Sequence, residues 1–92
     1  AVSTNALRKA LERGATLERN PASRFAFVRT GADTLTLFVD GDSIDCSGET
    51  ATLAEQLCAQ PRIEVDPALA TSAAAVALIE ALINQGSLGL AD

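Results

Sequence analysis

Three acidic residues and a cysteine lie within the stretch LFVDGDSIDC, residues 37–46. Asp40, Asp42 and Asp45 bring three carboxylates together, and Cys46 follows them directly. Carboxylates and thiolates bind cations, move protons or attack electrophiles. The stretch is therefore a candidate metal loop, a candidate acidic active site, or the turn of a β-hairpin.

The spacing of these acids does not fit a calcium loop. An EF-hand needs oxygen ligands at its first, third, fifth and twelfth positions and a glycine at the sixth. Counted from Asp40, the fifth position is Ile44, the sixth is Asp45 and the twelfth is Ala51. Acid–base catalysis would require a desolvated or coupled carboxylate, whereas acids in a tight turn are normally solvated. Asp40-Gly41 is a strong hairpin-turn signal, so we favour a strand, a tight turn and a strand.

The composition excludes most other catalytic sites. Histidine is absent, which removes a Ser-His-Asp triad, a Cys-His pair and a histidine-bound zinc or iron site. Cys46 and Cys58 are too few to complete a zinc site. They could form one disulfide in a secreted protein, but we favour two reduced thiols in a cytoplasmic one. We predict no catalytic, cofactor-binding or metal-binding residue in this chain.

Length and charge restrict the partners. The chain has 92 residues, of which 48% are hydrophobic and 21% charged, so we predict a single globular domain over residues 1–92. The net charge is −5, and residues 1–30 hold six of the seven cations. This acidic balance disfavours nucleic acid, whose phosphates need lysine and arginine. No apolar run is long enough to cross a bilayer and no signal peptide opens the chain, so we expect a cytoplasmic protein without a membrane partner. The first residue is Ala1 rather than Met, which suggests a processed product or a fragment, and we expect the C-terminal fragment of a longer protein.

Hydrophobic periodicity and turn signals define the elements that carry these residues. We predict a helix over residues 4–13, an extended piece over 15–18, a β-meander with strands over 23–30, 34–39 and 43–46, a helix over 50–60, an irregular connection over 62–71 with a helical turn at 67–70, a helix over 73–85, and a last strand around 88–90. Three helices packed with a small antiparallel sheet indicate a winged-helix-like α+β domain, with the Asp40-Gly41 hairpin in or near the wing.

Two further features belong to the predicted core and surface. Phe25 and Phe27 share one face of their strand, which favours core packing over a base-stacking platform. The helix over 73–85 is apolar almost all round, so we expect it to be central or covered on two sides, with a neighbouring domain or subunit as one possible cover.

Several stretches together resemble a known family: RNPASRFAFVRTG, LFVDGDSIDC, LAEQLCAQPRIEV and LIEALINQGSLGL. They are similar to the C-terminal winged-helix region of the bacterial JmjC (cupin-type) ribosomal protein hydroxylases. The resemblance implies an accessory domain of an oxygenase that uses Fe(II) and 2-oxoglutarate. It also implies that these cofactors bind in the catalytic domain of the parent protein, because the family's iron ligands include histidines and this chain has none.

The resemblance implies a role in binding protein. The expected partner is the catalytic domain of the same polypeptide or a basic ribosomal protein, and dimerisation is possible. Asp40, Asp42 and Asp45 are the candidate partner-binding residues, because an acidic surface attracts a basic protein. The alternative is a free-standing peptide-binding module that resembles the chaperone of pyrroloquinoline-quinone biosynthesis. A DNA-binding winged helix is disfavoured by charge.

Overall fold

Two small antiparallel sheets and three α-helices form the fold in the computed structural model, which describes residues 2–91. Ala1 and Asp92 lie outside the described residues. The elements in chain order are α1 (Thr4–Glu12), β1 (Thr16–Arg19), β2 (Phe25–Arg29), β3 (Thr34–Val39), β4 (Asp42–Ser47), α2 (Glu49–Ala59), β5 (Arg62–Glu64), a 3₁₀ helix (Pro67–Thr71), α3 (Ala73–Asn84) and β6 (Leu88–Ala91). The predicted α+β winged-helix fold is confirmed, and the helix bounds differ from the predicted ones by one residue.

The first sheet is the predicted meander, in the order β2-β3-β4. Its hairpin turns at Asp40 and Gly41, whose φ values of 51° and 93° are the positive pair that a two-residue turn requires. The turn brings Val39 opposite Asp42 and Leu35 opposite Cys46. This register places Leu35, Leu37 and Val39 of β3 on the buried face.

The second sheet has the order β5-β1-β6 and joins segments that are far apart in sequence. Leu17 of β1 lies opposite Ile63 of β5 on one side and opposite Leu90 of β6 on the other. The prediction of an irregular connection was wrong for residues 62–64, which form β5. A strand this short contains one inward residue, Ile63, so it shows no alternation from which it could be recognised.

The core lies between the two sheets and the helices. Leu7 and Leu11 of α1, Leu53 and Leu57 of α2, and Ile79 of α3 are each at most 1% exposed. Both α1 and α3 begin at serine caps: the hydroxyl of Ser3 accepts from the N–H of Ala6, and that of Ser72 from the N–H of Ala75. No helix within residues 2–91 is long and apolar enough to cross a membrane.

The outer face of α3 is not covered within residues 2–91, and its cover by a neighbouring domain or subunit stays a prediction. Its large side chains are buried, but Ala73, Ala74, Ala77 and Ala81 are exposed along the opposite side. The helix reads as apolar all round because its exposed stripe is alanine, which is the residue that most favours helix formation. Within the described residues, α3 is therefore covered on one side only.

The predicted core role of the phenylalanines holds for Phe25 alone, which packs partly against the core. Phe27 is 37% exposed although it lies opposite the buried Leu37. It is at the edge of its sheet, because β2 pairs with β3 alone. Helix α2 lies against β2, and Arg29 of the strand forms an ion pair with Glu55 of the helix at 2.6 Å.

Candidate interaction surface at the acidic hairpin

The Asp40 carboxylate connects three segments of the chain. Its Oδ1 accepts a hydrogen bond from the backbone N–H of Arg24 at 2.8 Å. Its Oδ2 accepts one from the hydroxyl of Ser87 at 3.1 Å. The backbone N–H of Asp40 donates to the carbonyl of Arg24 at 3.1 Å. The hairpin is thus tied to the start of β2 and to the turn between α3 and β6.

Ser87 is itself held from several sides and is 1% exposed. Its backbone N–H donates to the carbonyl of Leu82, and its carbonyl accepts from the N–H of Asn20, both at 2.9 Å. The side-chain amide of Gln85 donates to the Ser87 hydroxyl at 2.9 Å. A buried hydroxyl with these partners is fixed in position, so it gives Asp40 a rigid contact.

These contacts change the acidity of Asp40. The hydrogen bond from the Arg24 N–H lowers the pKa of the Asp40 carboxyl below its ordinary value, and the hydroxyls of Ser23 and Ser87 lower it further. The carboxylate is ionised at neutral pH and is used within the domain. Sequence reasoning placed Asp40 correctly in the hairpin turn but did not identify this structural contact.

Asp42 and Asp45 are placed differently. Both are exposed on β4, which is the other edge strand of the meander. Asp45 accepts a hydrogen bond from the hydroxyl of Thr36 on the adjacent strand at 3.1 Å. Both carboxylates can therefore meet a partner, whereas that of Asp40 is already bonded on both oxygens. The role of all three in binding remains a prediction.

The two cysteines differ in their exposure. Cys46 is buried and Cys58 is half-buried, and both are free. Burial raises the pKa of both thiols, so the reactive thiolate is disfavoured. Within residues 2–91, no group of three or more histidine, cysteine, aspartate or glutamate side chains could hold a metal ion. The side chains of residues 2–91 therefore do not fit an iron site.

A groove of about 400 Å³ lies between β4 and α3, beside the acidic hairpin. Sequence reasoning missed it, because an alanine on an apolar helix can either fill a core or border a groove. The residues that line it include Ile44, Asp45 and Cys46 from the strand side, and Ala74, Ala77, Leu78 and Ala81 from the helix side.

A second groove, of about 410 Å³, lies on the other side of α3, against α1. Arg8 of α1 and Glu80 of α3 line it, and the hydroxyl of Thr4 donates to the Glu80 carboxylate. Ala77 and Ala81 line both grooves. The exposed alanines of α3 therefore separate the two grooves.

Comparison with solved structures supports this fold. The chain is similar to YcfD, a ribosomal oxygenase from Escherichia coli, with a TM-score of 0.72 and 16% identity over 99% of this chain. A second structure of YcfD from Escherichia coli, in complex with cobalt and succinic acid, gives a TM-score of 0.67 and 17% identity. This chain spans 24% of the length of each of those chains. The comparison with curated protein sequences gives no match.

A family model agrees with the structural likeness. The model for the ROXA-like winged helix matches residues 1–89, which is nearly the whole chain. The match includes the acidic hairpin, both grooves and the two sheets up to Gly89. The chain therefore belongs to the ROXA-like winged-helix family.

Proposed function

We propose that this chain is a non-catalytic, protein-binding accessory domain of a larger ribosomal oxygenase. The observation that carries the proposal is family membership over residues 1–89, together with a fold that matches about a quarter of a ribosomal oxygenase chain. The alternative of a free-standing module like the pyrroloquinoline-quinone chaperone has no support in these comparisons. In this proposal the domain lies at the C-terminal end of a cytoplasmic parent protein.

The chemistry of the parent protein would lie outside this chain. Fe(II) and 2-oxoglutarate are proposed to bind in a separate catalytic domain, because the described residues offer no metal-binding group. The accessory domain would bind either that catalytic domain or a basic ribosomal protein. An acidic domain suits a basic partner, since opposite charge raises the rate of encounter.

The first test is the intact mass of the native protein, measured in cells that make it. We expect about four times the 9.5 kDa of this chain. A native mass equal to that of this chain would contradict the accessory-domain proposal.

The second test separates the accessory role from catalysis. The 92-residue chain is supplied with Fe(II), 2-oxoglutarate and a basic ribosomal protein, and succinate formation is measured. We expect none from this chain and turnover from the parent protein. Succinate formed by the isolated chain would show that the domain is itself catalytic.

A further inference from the structure

We propose that the groove between β4 and α3 takes an extended, positively charged segment of a partner protein, which pairs with β4 as an additional strand. This inference deepens the proposed protein-binding function and rests on it. It assigns the binding surface, the backbone geometry and the chemistry of the occupant. Strand addition to a free sheet edge is a general mode of peptide recognition.

The free edge of β4 follows from the register of the meander. In a two-residue hairpin the pair that flanks the turn, Val39 and Asp42, is hydrogen-bonded, and such pairs alternate along the strands. Ser43 and Asp45 therefore direct their N–H and C=O groups away from β3. Ser47 confirms this alternation, because its N–H and carbonyl both bond to the hydroxyl of Thr50 instead.

The groove beside this edge suits side chains from an added strand. Ile44 and Cys46 point from β4 towards the core, and Ala74, Ala77 and Ala81 of α3 form the opposite wall. Because these alanine side chains are small, the groove stays open; larger side chains at the same positions would fill it. Its volume of about 400 Å³ lies within the roughly 300–1,000 Å³ range of ligand-binding clefts. Alternate apolar side chains of an extended segment can enter it while the backbone pairs with Ser43 and Asp45.

The acidic residues of β4 favour a positively charged segment as the added strand. Asp45 borders the groove, and its carboxylate lies on the outer face of β4, where it accepts from the Thr36 hydroxyl. Asp42 is exposed on the same strand. Lysines that alternate with the apolar side chains of an added strand would meet Asp45 on that outer face. Antiparallel pairing of β4 with β4 of a second copy would place two acidic strands side by side, which is unfavourable. The other free edge of the meander, β2, carries no acidic residue and follows Arg24, so it offers a basic segment no opposite charge on the strand itself.

The probe is a short synthetic peptide of alternating lysine and valine, blocked at both ends, with a glutamate–valine peptide as its charge control. The 92-residue chain is titrated with each, and binding is followed by NMR. Hydrogen exchange is then measured at the amides of Ser43 and Asp45. We expect the lysine peptide to bind, the glutamate peptide to bind at least about tenfold more weakly, and both amides to become protected.

Two variants on α3 locate the site. Ala74 lines the β4 groove and Ala73 lines the α1 groove, and both are exposed at the start of the same helix. Ala74→Arg adds bulk and positive charge to the proposed site, so we expect about a tenfold loss of affinity for the lysine peptide. Ala73→Arg has the same composition and helix propensity, and we expect less than about a twofold change.

Each contrary result has a distinct meaning. Binding without protection of Ser43 and Asp45 would overturn strand addition. Equal loss of affinity in both variants would overturn the assignment to this groove, and equal binding of both peptides would overturn the basic occupant. No binding of the lysine peptide would overturn the whole inference, yet the native mass and succinate measurements would still decide the proposed accessory function.

Discussion

The carboxylate of Asp40 accepts a hydrogen bond from the hydroxyl of Ser87 at 3.1 Å, although the two residues are 47 positions apart. Asp40 lies at the turn of the meander, and Ser87 lies between α3 and the last strand of the other sheet. One side chain thus joins the two sheets at a point where their backbones do not pair. From the sequence, Asp40 is a candidate for binding a partner protein. In the fold, its carboxylate binds Ser87 of the same chain.

Replacing Asp40 tests this connection. Asp40→Ala removes the acceptors of the Arg24 N–H and the Ser87 hydroxyl, so we expect a lower melting temperature. Asp40→Asn keeps one carbonyl oxygen and tolerates the φ of 51° at this position, so we expect a smaller loss. Thermal unfolding followed by circular dichroism measures both, with Asp42→Ala as the control on the same turn. An equal loss in Asp40→Ala and Asp42→Ala would refute the connection.

Acid should weaken the same contact. The pKa of Asp40 is lower in the folded chain than its ordinary value of 3.8, so the unfolded state binds the proton first. Its contribution to stability is present above about 3.8 and is lost as pH falls through the lower, folded value. Urea unfolding of the wild type and Asp40→Asn from neutral pH downwards should show the difference between them shrinking in acid. A constant difference would contradict the lowered pKa.

Asp42 and Asp45, the two exposed acids of β4, should affect the rate of association more than the stability of the fold. We expect Asp42→Asn combined with Asp45→Asn to slow binding of the lysine–valine peptide by roughly tenfold at low salt, and much less at high salt. Stopped-flow kinetics gives the rate. Glu12→Gln combined with Glu64→Gln removes the same charge from exposed sites elsewhere and is the matched control. An unchanged rate in the β4 variant would remove the role of these acids in attraction.

The core between the meander and α2 should tolerate little loss of volume. Leu53 is 1% exposed, so Leu53→Ala leaves a cavity; we expect a loss of about 2–5 kcal/mol in the free energy of unfolding. Val28 is 57% exposed, and we expect Val28→Thr to change stability by less than about 0.5 kcal/mol. Urea denaturation measures both. A loss at Leu53 as small as that at Val28 would show that α2 does not pack as described.

The ion pair between Arg29 and Glu55 should contribute little despite its 2.6 Å length. The two side chains are 43% and 41% exposed, so water screens their attraction. We expect a coupling energy of about 0–1 kcal/mol from a double-mutant cycle of Arg29→Met and Glu55→Gln. A clearly larger coupling would mean that α2 shields the pair from solvent more than its exposure indicates.

Local patterns were sufficient to predict most elements of this fold. The Asp40-Gly41 turn and the hydrophobic periodicity of the helices and of β3 each depend on neighbours in sequence. The features that were missed depend on distant neighbours. The strand β5 is defined by its pairing with β1, and the exposure of Phe27 by the edge position of β2.

The candidate site divides in the same way. Asp42 and Asp45 could be proposed as partner-binding residues because charge can be read directly from the chain, and that role stays a prediction. The hydrogen bond between Asp40 and Ser87 was missed because the residues around Ser87 in sequence do not indicate that it contacts a residue 47 positions away. The groove was missed because alanine on α3 has the same apolar character whether it fills a core or borders a hollow.

The pairing of β1 with β6 has a consequence for how the domain is made. The β2-β3-β4 meander joins strands that leave the ribosome one after another, so it can form while synthesis continues. The other sheet has its central strand at residues 16–19 and one of its partners at 88–91. Its third strand, β6, cannot pair with β1 until residues 88–91 have left the exit tunnel. The meander and the pairing of β1 with β5 can therefore form before this sheet is complete.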